Sequence, residues 1–273
     1  MTEARDDGNA AHCAALVRSH DFPRYASTLF VGPERRRALL ALHAFNIEVA
    51  GVRDHVTQPL AGEIRLQWWG DLLGGTEHGA AQGNPVAAEL LRAKAACGWP
   101  VEALTRIVDA HRFDLYDDPM SGMAALEAYL EAAEGVLFSL AAEGASSEAV
   151  RRAALASGLA WVLELLPLHA SRGQCFLPAD VLRRHGADLD MVLSGQASEE
   201  LRKVLDDLRE MARAHLTAAQ GHIANLPRET RVAFLPLALI KPRLDRIDTA
   251  HPFSRASLSR LKVLWTLWRA SRG

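Results

Sequence analysis

The sequence predicts an all-α protein, on three observations. Apolar residues recur at helical spacing along nearly all of the 273 positions, alternating β-branched runs are almost absent, and Gly- and Pro-centred breakers fall between segments of helix length. Taken in order, Pro33 opens a segment that runs to about Asp54, since proline suits a first helical turn. Further helices are expected over 62–73, 85–97, 101–116, 122–143, 148–169, 198–225, 228–247 and 252–270. The breakers between them are Gly74-Gly75, Gly83-Asn84-Pro85, Gly98-Trp99-Pro100, Asp117-Asp118-Pro119, Gly144 and Leu226-Pro227. None is long or low in complexity and no short repeat is visible, so one domain is expected over 10–273 after a flexible N-terminus, 1–9.

Composition narrows the function classes. Apolar residues make up 49% and charged residues 23%, enough for a sizeable core. The net charge of −2, with no lysine or arginine block and no basic stripe interleaved with aromatics, argues against nucleic acid as a partner. Cys13, Cys97 and Cys175 are scattered and odd in number, which fits a reducing compartment better than a disulfide framework or zinc site. The polar start Met1–Asn9 does not read as a signal or transit segment. The strongest apolar run, Val232–Ile240, is interrupted by Pro236 and falls well short of the roughly 20 residues a membrane span needs. The expectation is a cytoplasmic chain, or one held peripherally on the inner face of a membrane.

Two segments carry most of the chemical information: 44–54, AFNIEVAGVRD, and 163–169, LELLPLH. Around them stand the arginine-rich 33–42, then Arg65-Leu66-Gln67-Trp68-Trp69, and Arg172-Gly173-Gln174-Cys175-Phe176-Leu177-Pro178. In order and spacing these resemble the squalene/phytoene synthase family, a resemblance that runs from Tyr25-Ala26-Ser27 to Phe234-Leu235-Pro236 and the last helix. It implies the isoprenoid (terpenoid) synthase fold, a single helical bundle around a central cavity. In that fold two aspartate-rich helices each present carboxylates four residues apart, hence on one helix face, and hold Mg²⁺ against substrate diphosphates.

Placed on that pattern, this chain has lost most of the carboxylates. The first motif falls on Ala50, Gly51 and Asp54, with Ile47 where the family has an arginine; the second falls on Leu165 and His169, with Glu164 in place of an arginine. Gln174 stands for an arginine, Phe176 for a tyrosine, and Glu134 for a small neutral residue in the segment Tyr129–Gly135. Helical geometry groups Ile47, Ala50, Gly51 and Asp54 on one face and Val162, Leu165, Leu166 and His169 on another. With Tyr129, these are the candidate cavity or ligand-binding residues; no residue stands out as catalytic. An apolar chain suits such a lining, whereas a diphosphate would be costly to bury without counter-charge.

The resemblance is strongest to a divergent group that includes a mitochondrial complex I assembly factor, through Leu166-Pro167-Leu168-His169-Ala170-Ser171-Arg172 followed by Phe176-Leu177-Pro178. It implies a protein without prenyl transfer and without a cofactor, binding a hydrophobic or isoprenoid-like ligand or a protein partner in support of a respiratory complex. The alternative is an active Mg-dependent head-to-head prenyltransferase using Asp54 with Asp114, Asp117 or Glu134.

Read alone, other features have plainer explanations. Asp54 reads as a solvated or capping carboxylate, His169 as a satisfied histidine and Trp68-Trp69 as packing residues. Asp114 to Pro119 reads as a helix exit and turn, and Cys175 as a buried structural thiol. The stretch 252–273 has Arg255, Arg260, Lys262, Arg269 and Arg272, no acid, and Leu258, Leu261, Trp265 and Trp268 on one face. Such a helix either packs its stripe on the protein or lies on an anionic membrane surface.

Overall fold

The computed structural model describes residues 2–76, 83–254 and 257–272; Arg255 of the basic C-terminal stretch lies outside the described residues. Among the described residues every regular element is helical. The chain divides into two compact units, Met1–Tyr116 and Asp117–Gly273, within the stretch that the sequence reading takes as one domain.

In the first unit the helices are α1 (Thr2–His20), α2 (Phe22–Ser27), α3 (Pro33–Ala50), α4 (Pro59–Gly74), α5 (Pro85–Cys97) and α6 (Val101–Ala110). The backbone is helical from Thr2, where a flexible start was expected over 1–9. Prolines at the first turn open α3, α4 and α5, and the Asn84 side chain accepts from the Val86 and Ala87 N–H groups at the start of α5. Gly75 and Gly98 close α4 and α5 with φ of 86° and 64°, a left-handed cap that glycine adopts without a Cβ penalty.

Helix α3 is the core of this unit, packed on α1 and α5 and buried all round from Ala38 to Asn46. Arg37 on α3 makes a bidentate pair with Glu89 on α5, Nε to Oε2 at 2.8 Å and Nη2 to Oε1 at 2.6 Å. Of the two adjacent tryptophans, Trp69 is buried edge-on against Phe45 at 5.0 Å, and Trp68 is half-buried beside it.

The second unit contains α7 (Met123–Leu130), α8 (Val136–Ala141), α9 (Ser147–Glu164), α10 (Leu166–Ser171), α11 (Ala179–Arg184), α12 (Leu189–Leu193), α13 (Glu199–Ile223), α14 (Arg228–Arg231), α15 (Ile240–Leu244) and α16 (Arg260–Ala270). A π-helical turn, Glu131–Gly135, joins α7 to α8, so the helix expected over 122–143 holds one wide turn.

The main pairing of this unit sets α9 against α13. Helix α13 buries Leu201, Val204, Leu205, Leu208, Ala212, Leu216 and Ala219, the three-and-four spacing of one helix face. Helix α9 answers with small residues, among them Ala153, Ala156, Gly158 and Ala160. A Cβ at Gly158 would stand 2.4 Å from Leu130 Cδ2, so glycine is what lets α7 approach α9 there. Ser146 and Ser198 cap α9 and α13 by accepting from Ala149 and Leu201 N–H groups.

Candidate functional site

The first-motif segment lies in the first unit. Helix α3 ends at Ala50, and residues Val52–His55 form a tighter 3₁₀ turn rather than continuing the helix to Asp54. The expected common face of Ile47, Ala50, Gly51 and Asp54 therefore breaks at Gly51, because a turn of three residues does not keep the register of one of 3.6. Gly51 permits the change: a Cβ there would come within 2.9 Å of the Ile47 carbonyl oxygen. Ile47 and Gly51 are half-buried, while Ala50 and Asp54 are exposed.

Neighbouring polar groups are already engaged. Arg53 Nη1 donates to the Asp114 carbonyl at 3.0 Å, and the buried Asp114 carboxylate lies 2.6 Å from His111 Nδ1. Glu48 is half-buried and accepts from Asn84 Nδ2 at 3.3 Å; burial pushes its carboxyl above the ordinary range.

Sequence reasoning missed a polar pair on α3. His43 and Asn46, one turn apart, are each only 8% exposed, and His43 Nδ1 and Asn46 Oδ1 are buried without a hydrogen-bond partner among the described residues. Burial, with the Arg24 charge nearby, drives the His43 pKa well below its ordinary value, so the ring is neutral. The available signal was two polar residues three apart inside the otherwise apolar run from Ala38 to Ile47.

The second-motif segment lies in the second unit and is built differently. Helix α9 ends at Glu164 and α10 begins at Leu166, where the spacing suggested one helix to His169. Pro167 explains the break, since it has no N–H to donate and its ring crowds the carbonyl four residues back. The Leu165 N–H still reaches the Trp161 carbonyl at 3.0 Å and the His169 N–H the Leu165 carbonyl at 2.9 Å, so the rise of the helix is nearly kept. Val162, Leu166 and His169 are buried, and Leu165 is half-buried.

Around His169 the side chains form an aromatic cluster. Its ring centroid is 4.7 Å from Trp161 and 4.6 Å from Phe176; Tyr129 joins at 5.6 Å from Phe176 and 6.5 Å from Trp161. His169 is 5% exposed, and burial, aided by the Arg172 charge, lowers its pKa to about 4. It is a neutral ring among rings at pH 7. Glu164 takes no part, because Arg243 on α15 donates to it from Nε at 2.6 Å. Glu134 falls within the π-helical turn and is half-buried.

Magnesium takes oxygen ligands, mostly carboxylates and waters. Of the four acidic positions expected from the family pattern only Asp54 supplies one, and among the described residues no group of three or more His, Cys, Asp or Glu side chains could hold a metal ion. Cys13 and Cys175 add nothing, being buried thiols whose pKa values burial pushes up to about 12 and about 11. The residues present do not fit a magnesium–diphosphate site.

Comparison with known proteins places this arrangement. The mouse protein named NADH dehydrogenase (ubiquinone) complex I, assembly factor 6 is 30% identical over 256 residues, covering 90% of this chain and 77% of its own length. The human protein of that name is 28% identical over 256 residues, covering 90% and 77%. Among solved structures, a dehydrosqualene synthase in complex with ligand superposes with a TM-score of 0.80 at 16% identity, over 98% of each chain. The squalene synthase HpnC from Alicyclobacillus acidocaldarius gives 0.69 at 19% identity, over 98% of this chain and 95% of its own. These likenesses show an isoprenoid synthase fold, and the squalene/phytoene synthase profile matches residues 17–269, so the chain belongs to that family.

Proposed function

We propose that this chain is a squalene/phytoene synthase-like protein that has lost prenyl transfer and acts by binding. It takes a hydrophobic or isoprenoid-like ligand or a protein partner in support of respiratory complex assembly, without a metal or other cofactor. The observation that carries the reading is the second motif. Where two carboxylates would face magnesium there is Leu165 and a neutral, buried His169 packed against Trp161 and Phe176. No carboxylate is left there to hold the magnesium that would neutralise a diphosphate, and burying that charge without the metal is costly. The assembly role is supported by relatives whose names carry it, at up to 30% identity over 90% of this chain.

The place of action in this reading is a membrane surface, touched through 252–273. Among the described residues no helix is long and apolar enough to cross a membrane, so contact from one side is the form it takes.

The first test is chemical. The purified chain, given farnesyl or geranylgeranyl diphosphate with Mg²⁺, is expected to release no diphosphate above the protein-free rate. Steady Mg-dependent release would instead establish the active prenyltransferase. The second test is cellular: deleting the gene in its source organism should lower assembled NADH dehydrogenase, and an unchanged level would remove the assembly role.

A further inference from the structure

The last described helix has two apolar stripes and uses only one. Val263 and Leu267 of α16 are 2% and 0% exposed and seat the helix on the segment Val232–Leu239 of the same unit. On the opposite side Leu261, Leu264, Trp265 and Trp268 are 80%, 36%, 55% and 45% exposed. Their spacing of three and four residues puts them on one line along the helix. The sequence reading expected the tryptophan stripe either to pack inward or to meet a membrane; packing has gone to the other stripe.

The outward stripe is edged by base. At 100° per residue Lys262 and Arg269 flank it on one side and Arg260 on the other, while Arg272, in the turn after the helix, lies over Trp268. The guanidinium carbons of Arg269 and Arg272 lie 4.8 Å and 4.2 Å from the ring centroids of Trp265 and Trp268, one turn back in each case. Beside the stripe an open hollow of about 620 Å³ is lined by Lys241, Lys262, Trp265 and Arg269, among others. No Asp or Glu occurs after Asp248.

We infer that this face of α16 docks on an anionic lipid surface, with Trp265 and Trp268 at the headgroup level and the bases on lipid phosphates. Tryptophan prefers that boundary because one ring carries both an apolar body and an N–H. The bases add attraction that falls with salt. A second copy of the chain is the poorer occupant, because two-fold pairing would set the same basic rims against each other.

The inference rests on the membrane part of the proposed function, and the two fail separately. The full chain is sedimented with phosphatidylcholine vesicles, with and without phosphatidylglycerol, and its size is followed by light scattering. Binding is expected to the anionic vesicles only and to weaken with salt. The W265A/W268A variant should bind at least about tenfold more weakly, and R269Q/R272Q about thirtyfold, from roughly a factor of five per base. The substituted side chains are exposed or part of the outward stripe, so the thermal midpoint should stay near that of the parent. Ile64→Ala, at an exposed apolar position on α4, should bind like the parent.

Equal binding to neutral vesicles would overturn the inference, as would a dimer that W265A/W268A dissolves. Binding that survives in W265A/W268A would remove this surface and leave membrane contact through another. No binding by the parent chain would remove both.

Discussion

The two motif segments have lost carboxylates at corresponding points of the family pattern, and their surroundings respond in opposite ways. At the first, in one unit, helix α3 gives out at Ala50 and Asp54 stands exposed on a 3₁₀ turn. At the second, in the other unit, His169 is buried in a cluster of three aromatic rings. Burial explains the difference. A carboxylate in water is solvated whether or not a metal is near, so an acid at position 54 carries no penalty. A carboxylate at 169 would be buried among aromatic rings without a metal ion, which is costly, whereas a neutral imidazole packs as a ring. An exposed motif position can drift, and a buried one has to be repacked.

That contrast yields a graded set of outcomes. The largest belongs to the cluster: Phe176→Ala, opening a cavity at a side chain 3% exposed, should cost about 3–5 kcal/mol in denaturant unfolding. A loss below about 1 kcal/mol would mean the rings are not packed as a unit.

Acid is the second probe. The folded pKa of His169 lies below its unfolded value of about 6.5, so the unfolded state binds the extra proton first. Its contribution is present above about 6.5 and is lost as pH falls toward about 4, on the order of 3 kcal/mol at about 1.4 kcal/mol per pKa unit. His169→Phe keeps a ring and removes the proton, so stability measured from pH 7 to pH 4.5 should fall less steeply in the variant. His43, shifted in the same direction in the other unit, should retain its share of the acid sensitivity. An unchanged slope in His169→Phe would assign the sensitivity elsewhere.

The remaining two outcomes concern the first unit. Asn46→Leu replaces a buried amide whose oxygen has no hydrogen-bond partner among the described residues with an apolar group of similar size, and should stabilise by about 1 kcal/mol in thermal unfolding. Destabilisation of that size would show the amide to be satisfied in solution. Asp54→Ala should be smallest, within about 0.5 kcal/mol, as at most exposed positions. A larger loss would make Asp54 a structural residue and blur the contrast between the motifs.

Much of the fold was legible in residues that act locally. Proline at 33 and 85, the Gly83-Asn84-Pro85 breaker and Gly98 mark helix ends through local chemistry, and α5 runs from Pro85 to Cys97 as expected. Where periodicity alone was the guide, the continuity was overstated. It carried one helix through Gly51 to Asp54 and another through Leu165 to His169, although glycine and proline stood at or near both breaks. A hydrophobic pattern survives a change of helix type that shifts side chains to new faces, so it does not reveal the shift.

Missing acids were visible in the motifs, but what replaced them was not. Trp161 and Phe176 meet His169 across the break at Pro167 and the loop after α10, and Tyr129 joins them from α7, a segment distant in sequence. For the same reason the inward stripe of α16, Val263 and Leu267, could not be told in advance from the outward one, since both have helical spacing.

The three thiols divide into unequal handles for chemistry at the bench. With its pKa pushed up to about 12, Cys13 holds on the order of one thiolate in 10⁵ molecules at pH 7, and Cys175, near 11, about one in 10⁴; both are also buried. Cys97, half-buried at the last turn of α5, is therefore the place where a maleimide dye or spin label should attach to the native chain. That single attachment point would let a reporter be placed in the first unit without engineering a cysteine or removing one.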